Sequence, residues 1–165
     1  MKNKKIFKFL STIIIVFFSQ LNLNYVYAAA SSGNDGNSKV NYYNAGKKLV
    51  LKAKKLEKKN KIEKANKLYI KAYKRLEKAY SKDKNNADIL NYLGYALRKT
   101  GNFKKAEVYY LKGLELDAAH LGINEYLGEL YIQTNRIELA KERLAVLNGC
   151  NCEEFDELKE LIDNN

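Results

Sequence analysis

The chain is poor in the residues that carry out catalysis and bind metals. Among its 165 residues there are one histidine (His120), two cysteines (Cys150 and Cys152) and no proline. It has no Ser–His–Asp set, no glycine-rich phosphate loop and no cluster of metal ligands. Two thiolates and one distant histidine also fall short of the four ligands of a closed zinc site. The sequence therefore predicts a protein that is not an enzyme, that holds no metal or cofactor, and that acts through its surfaces.

Long apolar runs are absent except near the start of the sequence. Four lysines within residues 2–8 precede an apolar stretch of about ten residues, and small residues follow at Ala28, Ala29 and Ala30. This order is typical of a secretory signal peptide, and the stretch is short for a membrane span, which needs about 20 residues. We expect residues 1–28 to be cleaved and the protein to be periplasmic or secreted. An uncleaved anchor is the alternative; a lipid anchor is not expected, because no cysteine lies near the cut.

Helical spacing begins after a short polar segment. Residues 29–41 are small and polar without periodicity, which predicts a flexible leader. From Tyr42 onward apolar residues recur at helical spacing, and no useful stretch alternates as a strand would. The predicted helices are 41–59, 61–81, 87–99, 103–116, 120–133, 137–147 and 153–163. Asparagine or glycine lies at most of the breaks, where it can take the left-handed conformation that ends a helix, and such short connections predict antiparallel neighbours in an all-α fold.

A 34-residue period runs through the second half of the chain. Gly94 and Gly128 lie 34 residues apart, and so do Ala106 and Ala140. The full matching set is Ile89, Tyr92, Leu93, Gly94, Thr100 and Ala106 over Ile123, Tyr126, Leu127, Gly128, Thr134 and Ala140. A period of this length predicts stacked helix hairpins, with the small residues at points of close helix approach.

These residues resemble the signature of the tetratricopeptide repeat family. The signature positions are occupied by Leu90, Leu93, Gly94, Leu97, Ala106, Tyr110, Gly113 and Ala118, and one period later by Asn124, Leu127, Gly128, Tyr131, Ala140, Leu144, Leu147 and Cys152. The resemblance implies a short right-handed solenoid with repeats at 87–120 and 121–152 and a capping helix at 153–165. The C-terminal half also resembles exported proteobacterial tetratricopeptide proteins that end in a paired-cysteine tail.

A degenerate third repeat is expected upstream, so that the whole domain covers residues 42–165. Segment 42–84 is rich in lysine, and Ala65 follows a turn like the one before Ala106. The segment is seven residues longer than the later repeat, so its second helix should overhang by about 10 Å.

The resemblance also implies a binding groove along the first helix of each hairpin. The predicted groove residues are Asp88, Asn91, Tyr95, Arg98, Glu125, Glu129 and Ile132. An extended peptide with a basic residue near Glu125 and Glu129 would suit this surface, and a solvated face without a ligand is the alternative. Some members of the family grip a peptide's terminal carboxylate, but Val50, Tyr92, Gly122 and Tyr126 stand at most of the places needed here, so we do not expect such a clamp.

Positive charge is concentrated in the first third of the presumed mature chain. Residues 39–84 hold 17 Lys or Arg against 4 acids, whereas residues 85–165 hold 9 against 14. The predicted basic patch comprises Lys47, Lys48, Lys54, Lys55, Lys58, Lys59 and Lys61. It could meet an acidic partner or an anionic surface, or be only solvated, but sequence-specific nucleic-acid reading is not expected because Arg75 is its only arginine.

The two cysteines flank a single asparagine. In an exported chain such a pair suggests a disulfide between Cys150 and Cys152. A structural bridge, a redox-active pair, and soft ligands for a copper or zinc ion all remain open, as do free thiols and pairing between chains.

The sequence as a whole predicts an exported interaction adaptor that binds a protein or peptide partner in the cell envelope. The alternatives are a thiol-disulfide protein that uses Cys150 and Cys152, and a polyanion tether that uses the lysine-rich hairpin.

Overall fold

Seven α-helices, and no strand, make up residues 35–165, which this computed structural model describes. In chain order they are α1 (Asp35–Glu57), α2 (Ile62–Lys82), α3 (Ala87–Lys99), α4 (Phe103–Leu116), α5 (Leu121–Gln133), α6 (Ile137–Leu147) and α7 (Glu153–Asp163). The expected signal peptide and the first part of the leader lie outside the described residues. The all-α prediction is confirmed for the part of the chain from residue 35 onward.

Helix α1 begins earlier than the sequence suggested. Residues 35–40, expected in the flexible leader, are helical. Tyr42 and Tyr43 pack against the core and hold the following turn in place. Once such a turn exists, each residue added to the helix gains a hydrogen bond, so the helix extends backwards from the two tyrosines. The other six helices begin and end within one residue of their predicted bounds.

The three helix hairpins are closed by the same turn. Asn60, Gly101 and Asn135 all have positive φ, at 54°, 81° and 58°. After each, the next N–H donates to the carbonyl five residues back, at 2.8–2.9 Å: Lys61 to Leu56, Asn102 to Leu97, and Arg136 to Tyr131. This is the Schellman ending of a helix, which only glycine and asparagine enter easily. The first hairpin is therefore closed in the same way as the other two.

The spacing of these turns explains the long first hairpin. Gly101 and Asn135 lie 34 residues apart, but Asn60 and Gly101 lie 41 apart. The extra residues are in α2, which has 21 residues where α4 has 14. The expected overhang of two helical turns is thus present in α2.

The helices α3 and α5, which are the first helices of the second and third hairpins, each begin at a side-chain N-cap. The side chain of Asn86 accepts the N–H of Ile89 at 3.1 Å, and Nδ1 of His120 accepts the N–H of Ile123 at 3.2 Å. An N-cap of this kind satisfies one of the free amide groups at a helix start. The single histidine of the sequence, His120, is therefore the N-cap of α5 through its Nδ1 atom.

Glycines allow the helices to approach closely. A Cβ on Gly94 of α3 would lie 2.5 Å from Cε1 of Tyr110 in α4, whose side chain is fully buried. A Cβ on Gly128 of α5 would lie 2.6 Å from Cδ2 of Leu158 in α7. Leu158 is fully buried, so α7 covers the end of the stack with an apolar face. Its other faces carry acids, as a capping helix requires.

Within residues 35–165, no helix combines the length and the apolar character needed to cross a membrane.

Replacing Gly94 with alanine should lower the free energy of unfolding by about 1–2 kcal/mol. Overpacking against the Tyr110 ring costs about 1–3 kcal/mol, and the better helix propensity of alanine returns up to about 1 kcal/mol. Denaturant unfolding followed by circular dichroism measures the difference. In a Tyr110→Leu background the nearest ring atoms are gone, so Gly94→Ala should cost less there. An equal cost in both backgrounds would show that Tyr110 is not the obstacle.

Candidate partner-binding surface

The first helices of the three hairpins lie side by side and share a row of tyrosines. Tyr43 of α1 meets Tyr92 of α3 edge to face, with ring centroids 6.0 Å apart. Tyr95 of α3 meets Tyr126 of α5 in the same way at 4.7 Å. Each such pair adds about 0.5–1.5 kcal/mol beyond the burial of its area. We call the surface formed by Tyr43, Lys47, Leu51, Lys54, Tyr92 and Tyr126 the first-helix face.

Two lysines of α1 lie over these tyrosines. Nζ of Lys47 is 5.9 Å from the Tyr43 ring centroid and 5.6 Å from that of Tyr92. Nζ of Lys54 is 5.4 Å and 5.6 Å from the rings of Tyr95 and Tyr126. These distances fall within the range of cation–π attraction, which stabilises exposed contacts by about 0.5–1 kcal/mol. Two of the seven predicted basic-patch lysines therefore already have partners inside the protein.

The other lysines of the predicted patch point to solvent. The exposed members are Lys48, Lys55, Lys58, Lys59 and Lys61. Lys48 also lines a separate pocket of about 650 Å³ between α1 and α2, together with Lys52 and Arg75. No acidic side chain lines this pocket, so it presents a local excess of positive charge.

A buried ion pair joins the second and third hairpins. Nη1 of Arg98 lies 2.7 Å from Oε2 of Glu129, and only 1% of the Arg98 side chain is exposed. The guanidinium also lies 5.3 Å from the Tyr95 ring and 5.6 Å from the Tyr126 ring. Removing one partner of such a pair leaves an uncompensated buried charge, which costs about 3–5 kcal/mol. Arg98 and Glu129 therefore hold α3 to α5.

Glu125 is buried next to two further carboxylates. Only 3% of Glu125 is exposed. Burial, a hydrogen bond with Glu157 of α7 and the charge of Glu129 together raise the pKa of Glu125 to about 9, against the opposing charge of Lys54. At neutral pH Glu125 is therefore a neutral acid that can share a hydrogen bond with Glu157.

The predicted groove residues are consequently not all at the surface. Asp88 is exposed, and Glu129 and Ile132 are half-buried. The remaining four, Asn91, Tyr95, Arg98 and Glu125, expose 3–6%. The expectation of one open face is corrected here, because neighbouring helices cover these side chains. Lys54 and Tyr126 lie against Tyr95, and Glu129 lies against Arg98. Glu157 contacts Glu125, and Gly122 packs against Asn91.

The open part of the surface contains residues that were not predicted as groove residues. Tyr43, Tyr92 and Tyr126 are half-buried, and Leu51 is 46% exposed. A signal for part of this surface was present in the sequence, since Tyr43, Lys47 and Lys54 are spaced by four and seven residues and so share one side of α1. Their approach to α3 and α5 depends on how the hairpins stack, which local spacing does not specify.

The cysteine pair lies apart from these contacts, in the turn before α7. Cys150 and Cys152 form a disulfide with their Cα atoms 5.2 Å apart. Asn151 between them has φ 50°. From residue 35 onward, no group of three or more His, Cys, Asp or Glu side chains is placed to hold a metal ion. The bridge joins the end of the third hairpin to the start of the capping helix.

Comparison with known proteins identifies the second hairpin. Residues 87–120 match the family model of the tetratricopeptide repeat. This segment is the repeat predicted at 87–120, and it contains Asp88, Asn91, Tyr95 and Arg98. The comparison with curated proteins finds no match.

Solved structures with a similar fold include tetratricopeptide domains and a secretion chaperone. The chaperone SycD of Yersinia enterocolitica, in complex with a peptide of the translocator YopD, has a TM-score of 0.52 at 19% identity, over 72% of this chain and 86% of that chain. The second tetratricopeptide domain of human RPAP3, in complex with an HSP70 peptide, has a TM-score of 0.52 at 16% identity, over 77% and 99%. The Arabidopsis OM64 domain has a TM-score of 0.50 at 15% identity, over 74% and 98%. At these identities the likeness concerns the fold, and it confirms the helix-hairpin repeat arrangement.

Replacing Glu125 with glutamine should stabilise the protein in a pH-dependent way. Because the folded-state pKa is raised from 4.5 to about 9, the native state keeps a proton that the unfolded chain loses, and stability falls as pH rises through this window. Glutamine cannot ionise, so the gain should be close to zero at pH 4 and should rise to at most about 3–5 kcal/mol at pH 7–8. Denaturant unfolding at several pH values measures it.

The matched control is Glu160→Gln, which removes an exposed acid of α7. Its effect should not change with pH in this manner. A Glu125→Gln effect that is the same at pH 4 and pH 8 would contradict the protonated state of Glu125.

Proposed function

We propose that the chain is a non-catalytic interaction adaptor that holds a peptide or protein partner against its first-helix face. The observation that carries the proposal is the line of half-buried tyrosines, Tyr43, Tyr92 and Tyr126, which runs across three consecutive helices. Aromatic side chains with an apolar body and a polar tip are favoured at binding surfaces. The SycD and RPAP3 structures of similar fold each contain a bound peptide, which supports the same mode of action here.

The surface suits an extended segment better than a compact small molecule. Leu51 lies one turn beyond Lys47, on the same side of α1, and offers an apolar side chain that is 46% exposed. Lys47 and Lys54 add donors along the same line. A partner that places apolar side chains over Leu51 and hydrogen-bond acceptors near the lysines and tyrosines would fit this pattern.

We further propose that the partner is met in the cell envelope. This part of the proposal rests on the signal-like segment at residues 1–28 and on the disulfide between Cys150 and Cys152, because such bonds persist in oxidising compartments. The proposal gives the disulfide a structural role at the start of the capping helix, whereas the redox alternative would require the bond to open during function.

A photo-crosslinking amino acid introduced at Leu51 should capture the partner in intact cells. The same amino acid at Val108, which is 50% exposed on the side of α4 opposite its buried residues, should not. Capture at both positions, or at neither, would contradict the assignment of the first-helix face. Cys150→Ser/Cys152→Ser should leave capture at Leu51 unchanged, and its loss would favour the thiol-disulfide alternative.

A second candidate function is the tethering of a polyanion, and the basic pocket between α1 and α2 favours it. Lys48, Lys52 and Arg75 line that pocket without an accompanying acid. Phosphate or carboxylate groups would bind there through charge contacts that weaken with salt.

Neutralising the basic pocket should weaken binding of inorganic polyphosphate about tenfold at low salt, because three exposed charge contacts contribute up to about 1 kcal/mol each. The variant is Lys48→Gln/Lys52→Gln/Arg75→Gln, and calorimetric titration measures the affinity. The control Lys104→Gln/Lys112→Gln/Lys141→Gln removes the same net charge elsewhere. Equal weakening in the two variants would mean that only net charge attracts polyphosphate.

A further inference from the structure

A second pocket lies where α5 begins, between the first turns of α3 and α7. It has a volume of about 420 Å³ and opens beside Tyr92 and Tyr126 of the first-helix face. Its polar lining comes from Asp88, Asn91, Asp117, His120 and Glu154. The volume is within the range of pockets that bind ligands or single side chains, about 300–1,000 Å³.

The lining is acidic in a chain that is basic overall. Asp88, Asp117 and Glu154 contribute carboxylates and no lysine or arginine lines the pocket, although the chain has a formal net charge of +11. Oδ1 of Asp88 lies 3.4 Å from Nε2 of His120, and Oδ1 of Asp117 accepts the N–H of Ala119. Each of these carboxylates therefore keeps a second oxygen for another donor.

Asn91 supplies an independent indication of a missing donor. It is 6% exposed, its side chain lines the pocket, and its Oδ1 accepts no hydrogen bond among the described residues. A buried acceptor without a partner costs about 1–3 kcal/mol. Across from it, a Cβ on Gly122 would lie 2.8 Å from Nδ2 of Asn91, so the glycine lets the amide pack closely against the start of α5. Because Oδ1 is itself covered, a ligand that donates hydrogen bonds would satisfy Asn91 after a rotation of its amide toward the pocket.

The pocket walls add an aromatic component. Tyr92 and Tyr126 both line it and both are half-buried. Tyrosine rings attract cations, and a guanidinium can stack on a ring while it donates to carboxylates.

We propose that this pocket binds a positively charged side chain of the partner, the guanidinium of an arginine or the ammonium of a lysine. The proposal rests on the proposed function, which it deepens by naming the chemistry of one partner residue. A cation with several N–H donors satisfies the three carboxylates, the unpartnered amide oxygen of Asn91 and the tyrosine rings together. Glu125 and Glu129, where a basic residue was expected, are engaged by Glu157 and Arg98, so the cation site lies at the helix starts instead.

Blocked amino acids test the pocket without knowledge of the partner. The full chain, labelled with ¹⁵N, is titrated with N-acetyl-arginine methylamide and N-acetyl-lysine methylamide, and the neutral control is N-acetyl-citrulline methylamide, which has nearly the shape of arginine. Saturable shifts are expected at the amides of Asp88, Gly122 and Glu154 with one or both cations and not with citrulline. The stronger cation identifies the preferred partner residue, and equal binding of citrulline overturns the proposal.

Variants locate the interaction. Asp117→Asn/Glu154→Gln keeps an acceptor for the Ala119 N–H and should weaken cation binding at least about fivefold. Asp156→Asn/Glu160→Gln removes the same charge from exposed positions of α7 that do not line the pocket, and should leave binding unchanged. Equal loss in both variants, or no saturable shift with either cation, overturns the proposal. Cation binding without crosslinking at Leu51 would refute only the proposed function, whereas crosslinking without cation binding would refute only the pocket.

Discussion

The left-handed residue that closes each hairpin is the constraint on which the rest of the structure depends. Asn60, Gly101 and Asn135 each reverse the chain immediately after a first helix and cap that helix with the next N–H group. This fixes the point at which the second helix starts relative to the first. Because the turn recurs at corresponding positions, the first helices are presented in one row, even though α2 is two turns longer than α4. The additional residues of α2 come after the turn at Asn60, so they do not change the position of α1 in the row.

With the first helices in one row, the packing of their tyrosines determines which side chains of the row are exposed to solvent. Tyr95 and Tyr126 meet at 4.7 Å, and Lys54 and Arg98 lie over the same two rings. This packing removes the middle of the row from solvent. Tyr43, Tyr92 and Tyr126 stay half-buried and Leu51 stays exposed, so these side chains are the open part of the row. The proposed binding surface therefore consists of the side chains that the packing between helices leaves exposed.

The helices could be predicted from the sequence because their start and stop signals are local. Glycine and asparagine in the left-handed conformation, and Asn86 as a cap, act within a few residues of their position. The candidate site could be predicted only in part. The helical spacing of Asn91, Tyr95 and Arg98 placed them correctly on one side of α3, but their burial depends on α1 and α5, which are distant in sequence. The acidic pocket forms because the starts of α3, α5 and α7 lie close together in the fold. No sequence pattern within any one of these helices indicates it. The early start of α1 was missed because the polar residues before Tyr42 have no propensity signal of their own and are helical through propagation from the packed tyrosines.

The distribution of charge follows from the same packing. Two acids lie inside the row, and neither presents a free negative charge. Glu125 keeps its proton at neutral pH, and Glu129 is paired with Arg98. They contribute little to the field outside the protein, since a neutral or closely paired group has no net charge to present. The field near the start of α5 is set instead by Asp88, Asp117 and Glu154, which no lysine or arginine accompanies in their pocket. On α1 and α2 the exposed lysines dominate, so a partner that reaches across the first-helix face meets positive charge at one end and negative charge at the other. A bound segment with an acidic end and a basic end would thereby be aligned in one direction along the row.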